Sequence, residues 1–313
     1  MKLKIGSRGS QLALWQANHI ASLLTGQGHE VEILIIKTTG DHLQEVTFAE
    51  VGSKGMFTKE IEEALAAGTI DLAVHSLKDL PTELPTSFAL AATPHRVDPR
   101  DAFVSVHHAK LAQLPAGAKV GTSSQRRRAQ LKALRPDLEV VEFRGNVDTR
   151  LRKLAEGQVD AIFLAAAGLD RLGKTEWIKE RLSPKSFCPA AGQGALGIET
   201  RKDDAKTLRI VSFLDDPGTR FAVTAERTAL AALGGGCQVP IGIHCRPGVA
   251  DESGEWDEIY AVVAAPESGK AVRVYHRRPS GAMQAEALGQ KAAELLLADG
   301  AQEILQGTEG LRD

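Results

Sequence analysis

Aromatic residues make up only 4% of the 313-residue chain, so it lacks the stacking platforms on which single-stranded nucleic acids are held. Excess positive charge is missing as well. The 38 basic residues against 40 acidic ones leave a formal charge of −2, which argues against a surface dedicated to phosphate contacts and a nucleic-acid partner. Cysteine is scarce: Cys188, Cys237 and Cys245 form no CxxC pair and have no metal-ligand spacing with the nine histidines. An odd count in so long a chain is no disulfide framework. It fits a reducing compartment, so a cytoplasmic protein without a metal site is expected. Long hydrophobic runs are absent too. The longest, 161–169, falls far short of a membrane span, and no export signal is read at the N-terminus. No large apolar surface patch is legible, so a monomer is expected.

What is present is the mix of a folded protein, 43% apolar and 25% charged, long enough for two or three domains. The pattern is α/β. A strand at 2–5 leads through a Gly-Ser-rich turn into a helix at 12–24. A strand at 31–36, a helix at 58–67 and a strand at 71–75 follow. A second set has strands at 118–121, 138–143 and 160–164, with helices at 125–134 and 147–156. Alternation of this kind predicts a parallel or mostly parallel sheet in each set. The sets echo each other: LAAGTIDLAV at 65–74 matches LAEGQVDAIF at 154–163, each a helix end, a glycine and an Asp opening a strand.

The polar segment 94–100 reads as a linker, and a second crossing is expected at 187–193, with a strand at 195–200 returning to the first lobe. Two crossings predict two similar lobes, like those of solute-binding proteins, around a hinged cleft. From about Pro217 the pattern changes to a helix at 220–233, strands at 239–245, 258–264 and 271–277, and a helix at 282–298. Consecutive strands predict a small α+β domain with an antiparallel sheet. The expected domains are 1–95 with 195–215, then 100–189, then 217–313.

Candidate chemistry sits where strands end, the place at which open α/β sheets bind ligands. Thr122, Ser123 and Ser124 lead into a helix that opens with Arg126 and Arg127; free N–H groups, hydroxyls and guanidiniums there form an anion site. Arg8 and Ser10 occupy the equivalent place in the first lobe, and Arg144 follows another strand with Arg150 further on. Arg clusters are also common on solvated helix faces, but repetition at strand ends points to a polyanionic ligand. His75, Ser76, Lys78 and Asp79 close a further strand. Asp79 is a candidate general acid, general base or stabiliser of a developing cation, or else a turn cap paired with Lys78. Cys237 follows three glycines, so it is either a small buried hydrophobe or a thiol presented on an exposed turn.

Seven ordered motifs give these residues a family. SRGSQLALWQ at 7–16, GMFTKE at 55–60, VHSLKDLP at 74–81, VGTSSQRR at 120–127, FRGNVDTR at 143–150, PAAGQG at 189–194 and GGCQVPIG at 235–242 resemble the porphobilinogen deaminase (hydroxymethylbilane synthase) family. Gln11 stands where that family often has proline, and Gly234 where an acidic residue is common. The resemblance implies a transferase of haem and tetrapyrrole biosynthesis. It would polymerise four porphobilinogen molecules head to tail on a dipyrromethane cofactor, with loss of ammonia, and release hydroxymethylbilane. Cys237 would carry the cofactor through a thioether. Asp79 would be catalytic, holding pyrrole N–H groups and stabilising positive charge. Arg8, Ser10, Lys54, Ser76, Lys78, Thr122, Ser123, Ser124, Arg126, Arg127, Arg144, Arg150, Arg171 and Gln193 would bind carboxylates of the cofactor, the substrate and the growing polypyrrole. The competing class is a two-lobed small-anion-binding protein or regulator effector domain without catalysis. The missing export signal and DNA-binding segment weigh against it, and a cysteine on a third domain is something it has no need of.

Overall fold

The computed structural model describes residues 1–39, 58–235 and 239–309. The chain begins with β1 (Lys2–Ser7), α1 (Gln11–Gly26), β2 (Glu30–Ile35), α2 (Lys59–Ala66), β3 (Leu72–Ser76) and β4 (Phe88–Ala92). Next come β5 (Asp101–Ser105), β6 (Lys119–Gly121), α3 (Gln125–Leu134), β7 (Glu139–Val141), α4 (Val147–Ala155), β8 (Ala161–Ala165), α5 (Ala166–Arg171) and β9 (Ile178–Arg181). Then follow β10 (Leu196–Arg201), α6 (Ala205–Val211) and α7 (Pro217–Ala232). The last elements are β11 (Ile241–Asp251), β12 (Gly254–Ala264), β13 (Ala271–Pro279), α8 (Ala285–Ala298) and α9 (Ala301–Glu309).

The fold class is α/β, with two sheet-and-helix lobes and, in addition, a small antiparallel sheet. Contacts divide the chain into two compact units, residues 1–97 with 194–220, and residues 98–193 with 221–313. The first unit is built on the sheet β2-β1-β3-β10-β4, the second on β7-β6-β8-β5-β9 and on β11-β12-β13.

The two five-stranded sheets share one plan. In each, three strands run parallel (β2-β1-β3 and β7-β6-β8) and the next two pair antiparallel (β10 and β4, β5 and β9). Four strands of each sheet thus share one direction, as expected, and one, β10 or β5, opposes both its neighbours. Local periodicity reports which face a strand buries, and the direction of a partner drawn from a distant segment leaves no local trace.

The internal repeat has a physical meaning. Asp71 accepts the N–H of Lys4 at 2.8 Å while its own N–H donates to the Lys4 carbonyl at 2.9 Å. Asp160 does the same with Lys119, at 2.7 and 2.9 Å. In both lobes this Asp locks the start of the third parallel strand onto the first. Gly68 and Gly157 precede it at φ 67° and 76°, the left-handed conformation that ends a helix.

Helix starts are set by side chains at strand ends. Ser10, Ser124 and Asn146 are the N-caps of α1, α3 and α4, accepting the N–H of Ala13 at 3.3 Å, Arg127 at 3.5 Å and Thr149 at 2.9 Å. The core of the first unit joins Ile20 and Leu24 of α1 to Leu3, Ile5, Leu72, Val74 and Ile198 of the sheet. Each such side chain contributes about 1.5–3 kcal/mol by leaving water. In the second unit, α7, α8 and α9 cover one face of the three-stranded sheet through Ala225, Leu288, Leu296, Ile304, Ile243 and Val263. The other face meets Ala129 and Cys188 through Tyr260, Val262 and Ala264. α7 begins three residues before the expected start, at Pro217, which suits a first turn where no N–H is needed.

Candidate functional site

In the first unit β1 and β3 are parallel neighbours, Ile5 beside Leu72 and Gly6 beside Ala73, so their C-terminal ends open on one rim. Arg8 and Ser10 follow β1, and a 3-10 turn, Leu77–Asp79, follows Ser76 at the end of β3. Gln16 of α1 ties the two together by donating from Nε2 to Ser76 Oγ at 2.8 Å. Arg8, Ser10, Gln16, His75, Ser76 and Asp79 line a cavity of about 90 Å³. Asp79 is exposed and its carboxylate makes no hydrogen bond or ion pair with a described residue. Lys78 is half-buried and engaged.

Beneath this rim His75 Nε2 lies 2.9 Å from Oε2 of Glu199 on β10, and both residues are buried. The second oxygen of Glu199, Oε1, has no partner among the described residues. Burial, followed by the charge of Glu199, pushes the carboxyl of Glu62 up. Sequence reading passed over Gln16 and Glu199. The signal available for Glu199 was an acid directly after the apolar run 195–198.

In the second unit the ends of β6 and β7 are fastened by the hydroxyl turn. Thr122 N–H donates to the Val141 carbonyl at 3.0 Å, Ser123 Oγ donates to the Phe143 carbonyl at 3.2 Å, and Thr122 Oγ1 accepts Ser124 N–H at 3.2 Å. Gly145 has φ 126° and lets the chain turn from Arg144 to the Asn146 cap; a side chain there would strike Thr149. Arg144 Nε donates to Glu142 Oε1 at 2.7 Å. Arg150 on α4 has its Nε buried without a hydrogen-bond partner among the described residues. Burial, then the nearby charge of Arg127, lowers the Arg150 guanidinium to about 10, and Arg144 adds to the same effect. Arg127, Arg144 and Arg150 are thus one cationic cluster beside the starts of α3 and α4. Arg171 ends α5, the helix that follows β8, and burial lowers it to about 10.

Arg126 and Arg127 are buried, and the carboxylate they hold is that of Asp101. Arg126 Nη1 donates to Asp101 Oδ2 and to the Cys188 carbonyl, both at 2.7 Å. Arg127 donates to Asp101 Oδ1 and, from Nη1, to the Phe163 carbonyl at 3.0 Å. Gln193 Nε2 completes the group with bonds to Asp101 Oδ1 at 3.1 Å and the Pro99 carbonyl at 2.7 Å. Burial works to raise the Asp101 carboxyl, but the two guanidiniums outweigh it and hold the group well below the usual carboxylate range. Two positive charges against one negative leave an excess positive charge, and Arg127 carries it toward Arg150.

Lys54 and Cys237 lie outside the described residues. The other two cysteines, Cys188 and Cys245, are buried. Burial pushes the Cys188 thiol up, and its Sγ lies 3.5 Å from the Tyr260 carbonyl it donates to. Among the described residues no group of His, Cys, Asp and Glu is placed to hold a metal ion, and no helix is long and apolar enough to cross a membrane.

Comparison with known proteins adds to this geometry. Residues 3–209 match the family model "Porphobilinogen deaminase, dipyromethane cofactor binding domain", and residues 220–298 match "Porphobilinogen deaminase, C-terminal domain". The chain is 52% identical over 317 residues to a porphobilinogen deaminase of Nitratidesulfovibrio vulgaris, covering 99% of this chain and 98% of the relative. It is 49% identical over 306 residues to that of Geobacter sulfurreducens, covering 97% and 94%. Among solved structures, a pheromone precursor lipoprotein of Enterococcus faecalis aligns at a TM-score of 0.45 with 13% identity, over 70% of this chain and 94% of that one.

Proposed function

Since the chain belongs to the porphobilinogen deaminase family, we propose roles for its residues in that family's reaction. The protein is a transferase of tetrapyrrole biosynthesis, a hydroxymethylbilane synthase that joins four porphobilinogen molecules head to tail with loss of ammonia. The observation that carries this reading is the match of both family domains together with relatives similar over nearly the whole chain. A binding protein without catalysis is not favoured.

The residues present fit a carboxylate-bearing cofactor. Arg150 holds a buried, unpartnered Nε, the Asp101 group carries surplus positive charge, and two helix N-termini add N–H donors beside them. When bound, dipyrromethane supplies the free pyrrole carbon from which the chain of rings grows. We assign its carboxylates to Ser124, Arg144, Arg150 and Arg171. Thr122, Ser123, Arg126, Arg127 and Gln193 shape the same surface, since most of their donors are engaged within the protein. Cys237 is the proposed thioether anchor; in support, Cys188 and Cys245 are buried, and a buried thiol is disfavoured as a thiolate.

On the first unit, Arg8, Ser10, Lys54, Ser76 and Lys78 are assigned to the acetate and propionate of the incoming substrate. Asp79, with no partner of its own among the described residues, is assigned to the pyrrole N–H and to the positive charge that develops as ammonia departs. The division into 1–95 with 195–215, 100–189 and 217–313 is kept as a three-domain proposal, supported by three separate sheets. A cytoplasmic monomer completes the reading. Intact-mass measurement of the purified active protein tests the anchor and the cofactor together. A mass above the sequence by two deaminated porphobilinogen units is expected, and an unmodified mass in an active preparation would overturn the assignment.

A further inference from the structure

The second unit contains a larger cavity, about 370 Å³, that borders none of the residues assigned above. One wall is the segment after β9, with Pro184, Lys185 and Cys188; the other is the sheet formed by β12 and β13, with Tyr260, Arg273 and Tyr275. Register places these sheet residues together, since Tyr260 pairs with Tyr275 and Val262 with Arg273. The opposite face of the sheet is already covered by α7, α8 and α9.

The walls are fixed. Tyr260 and Tyr275 stack with ring centroids 4.8 Å apart, and both hydroxyls donate to Glu258, at 3.1 and 2.8 Å. Cys188 Sγ donates to the Tyr260 carbonyl, which joins the two walls. The carboxylate of Glu258 is therefore committed to the tyrosines and to Arg246, 3.4 Å away.

The charges of the cavity are one-sided. Lys185 and Arg273 are its two cations, and neither side chain has a hydrogen bond or ion pair with a described residue. The one acidic group that acts on Arg273 is the Cys188 thiol, which burial keeps protonated, so no negative charge among the described residues balances this guanidinium. Both cationic side chains are exposed and no carboxylate lines the cavity, so an anion placed there would meet two charge-assisted donors. The exposed ring of Tyr275, with Pro184, offers a flat apolar face beside that charge. A volume at the small end of the roughly 300–1,000 Å³ usual for ligand sites admits a single ring.

We propose that this cavity is a second ligand site, which binds a single-ring aromatic carboxylate with the carboxylate between Lys185 and Arg273 and the ring against Tyr275. The enzyme's own monopyrrole substrate belongs to this chemical class, as do other small ring carboxylates. None of its lining residues is assigned to the reaction; its link to the assigned residues is the Cys188 carbonyl, which accepts from Arg126.

The test is calorimetric titration of phthalate into the holoenzyme, with benzamide and inorganic sulfate as comparison probes. Phthalate is expected to bind, benzamide and sulfate at least about 10-fold more weakly. Arg273→Gln and Lys185→Gln should each weaken phthalate about 10-fold or more, the effect of losing a charge-assisted contact. Both variants should keep wild-type turnover of porphobilinogen and wild-type melting temperature. Titrating porphobilinogen into phthalate-saturated and phthalate-free holoenzyme then separates the two ligand sources: competition at this site points to the substrate, its lack to another ring carboxylate. Equal binding of sulfate would overturn ring recognition. Phthalate affinity unchanged in both variants, or lost only in Arg150→Gln, would assign the heat to the catalytic surface and remove the proposed site. In either case turnover remains a separate readout of the enzymatic reading.

Discussion

Arg127 grips Asp101 from the side, Nη2 and Nε both donating to Oδ1 at 2.7 and 3.1 Å, while Oδ2 takes Arg126 Nη1 at 2.7 Å. Asp101 is completely buried, so its charge is tolerable only because these donors surround it. Removing one partner leaves the carboxylate short of donors. Arg127→Leu is accordingly expected to cost about 3–5 kcal/mol of stability, read from the urea midpoint, in addition to any loss of bound cofactor. Full stability with an empty cofactor site would mean that Arg127 serves the ligand and not the fold.

The same cluster predicts an acid limb. Asp101 is held below its ordinary value in the folded state, so below the unfolded value, about 3.9, the unfolded chain binds more protons. Its contribution is present above that pH and is lost as pH falls through the lower folded value. Urea midpoints measured from pH 7 down to pH 3 should fall steeply at the acid end. In Asp101→Asn, less stable at every pH, that part of the slope should be reduced. An unaltered slope would assign the acid limb to other carboxylates.

Arg150 is expected to matter for loading more than for folding. Its Nε already goes without a partner among the described residues, so Arg150→Leu removes a desolvated charge without orphaning a described acid. The variant should melt at or above the wild-type temperature as apoprotein and bind the cofactor about 10- to 150-fold more weakly before the thioether forms, leaving mostly apoprotein. Mass spectrometry of the loaded fraction, with thermal melting of the apoprotein, checks both halves. A destabilised but fully loaded variant would give Arg150 a structural role.

Much of this was legible from residue order. The repeat at 65–74 and 154–163 announced two related lobes because Asp71 and Asp160 perform one job, locking a strand onto its neighbour through the backbone of Lys4 and Lys119. Ser10 and Ser124 were readable as turn residues because a cap acts within three residues. Asp101 was not readable. It opens β5, a buried five-residue strand just past a proline-bearing linker, and its partners lie 25 and 26 residues further on. Arg126 and Arg127 have the local look of a solvated or anion-binding helix start, and only the distant carboxylate explains their burial. β4, β5, β9, α5, α6 and α9 were missed for a related reason: they are short, and long-range packing holds them in place.

Cys237→Ala is expected to fold and to carry no covalent pyrrole. The buried Cys188 and Cys245 are poor substitutes, because exposing either thiol would mean opening a packed core. An aldehyde reagent for pyrroles reads the result directly. A coloured Cys237→Ala protein would place the anchor on another residue.

Asp79→Asn separates charge from structure at the proposed catalytic position. The Asp79 side chain makes no bond to a described residue, so Asn removes no partner from the fold, and the melting temperature and attached cofactor should survive. What Asn cannot supply is negative charge beside a pyrrole that turns cationic as ammonia leaves. A preorganised charge of that kind is worth a few kcal/mol, which corresponds to a loss on the order of 10²–10³ in rate. The loss should fall on the rate of ring addition more than on KM, because the charge acts most strongly once the cation has developed. Were Asp79 only a turn residue of the Leu77–Asp79 segment, Asn would lower stability and leave turnover of the folded fraction near normal. Single-turnover addition of porphobilinogen, measured beside thermal melting, distinguishes the two. Normal ring addition in folded, cofactor-loaded Asp79→Asn would remove Asp79 from the mechanism.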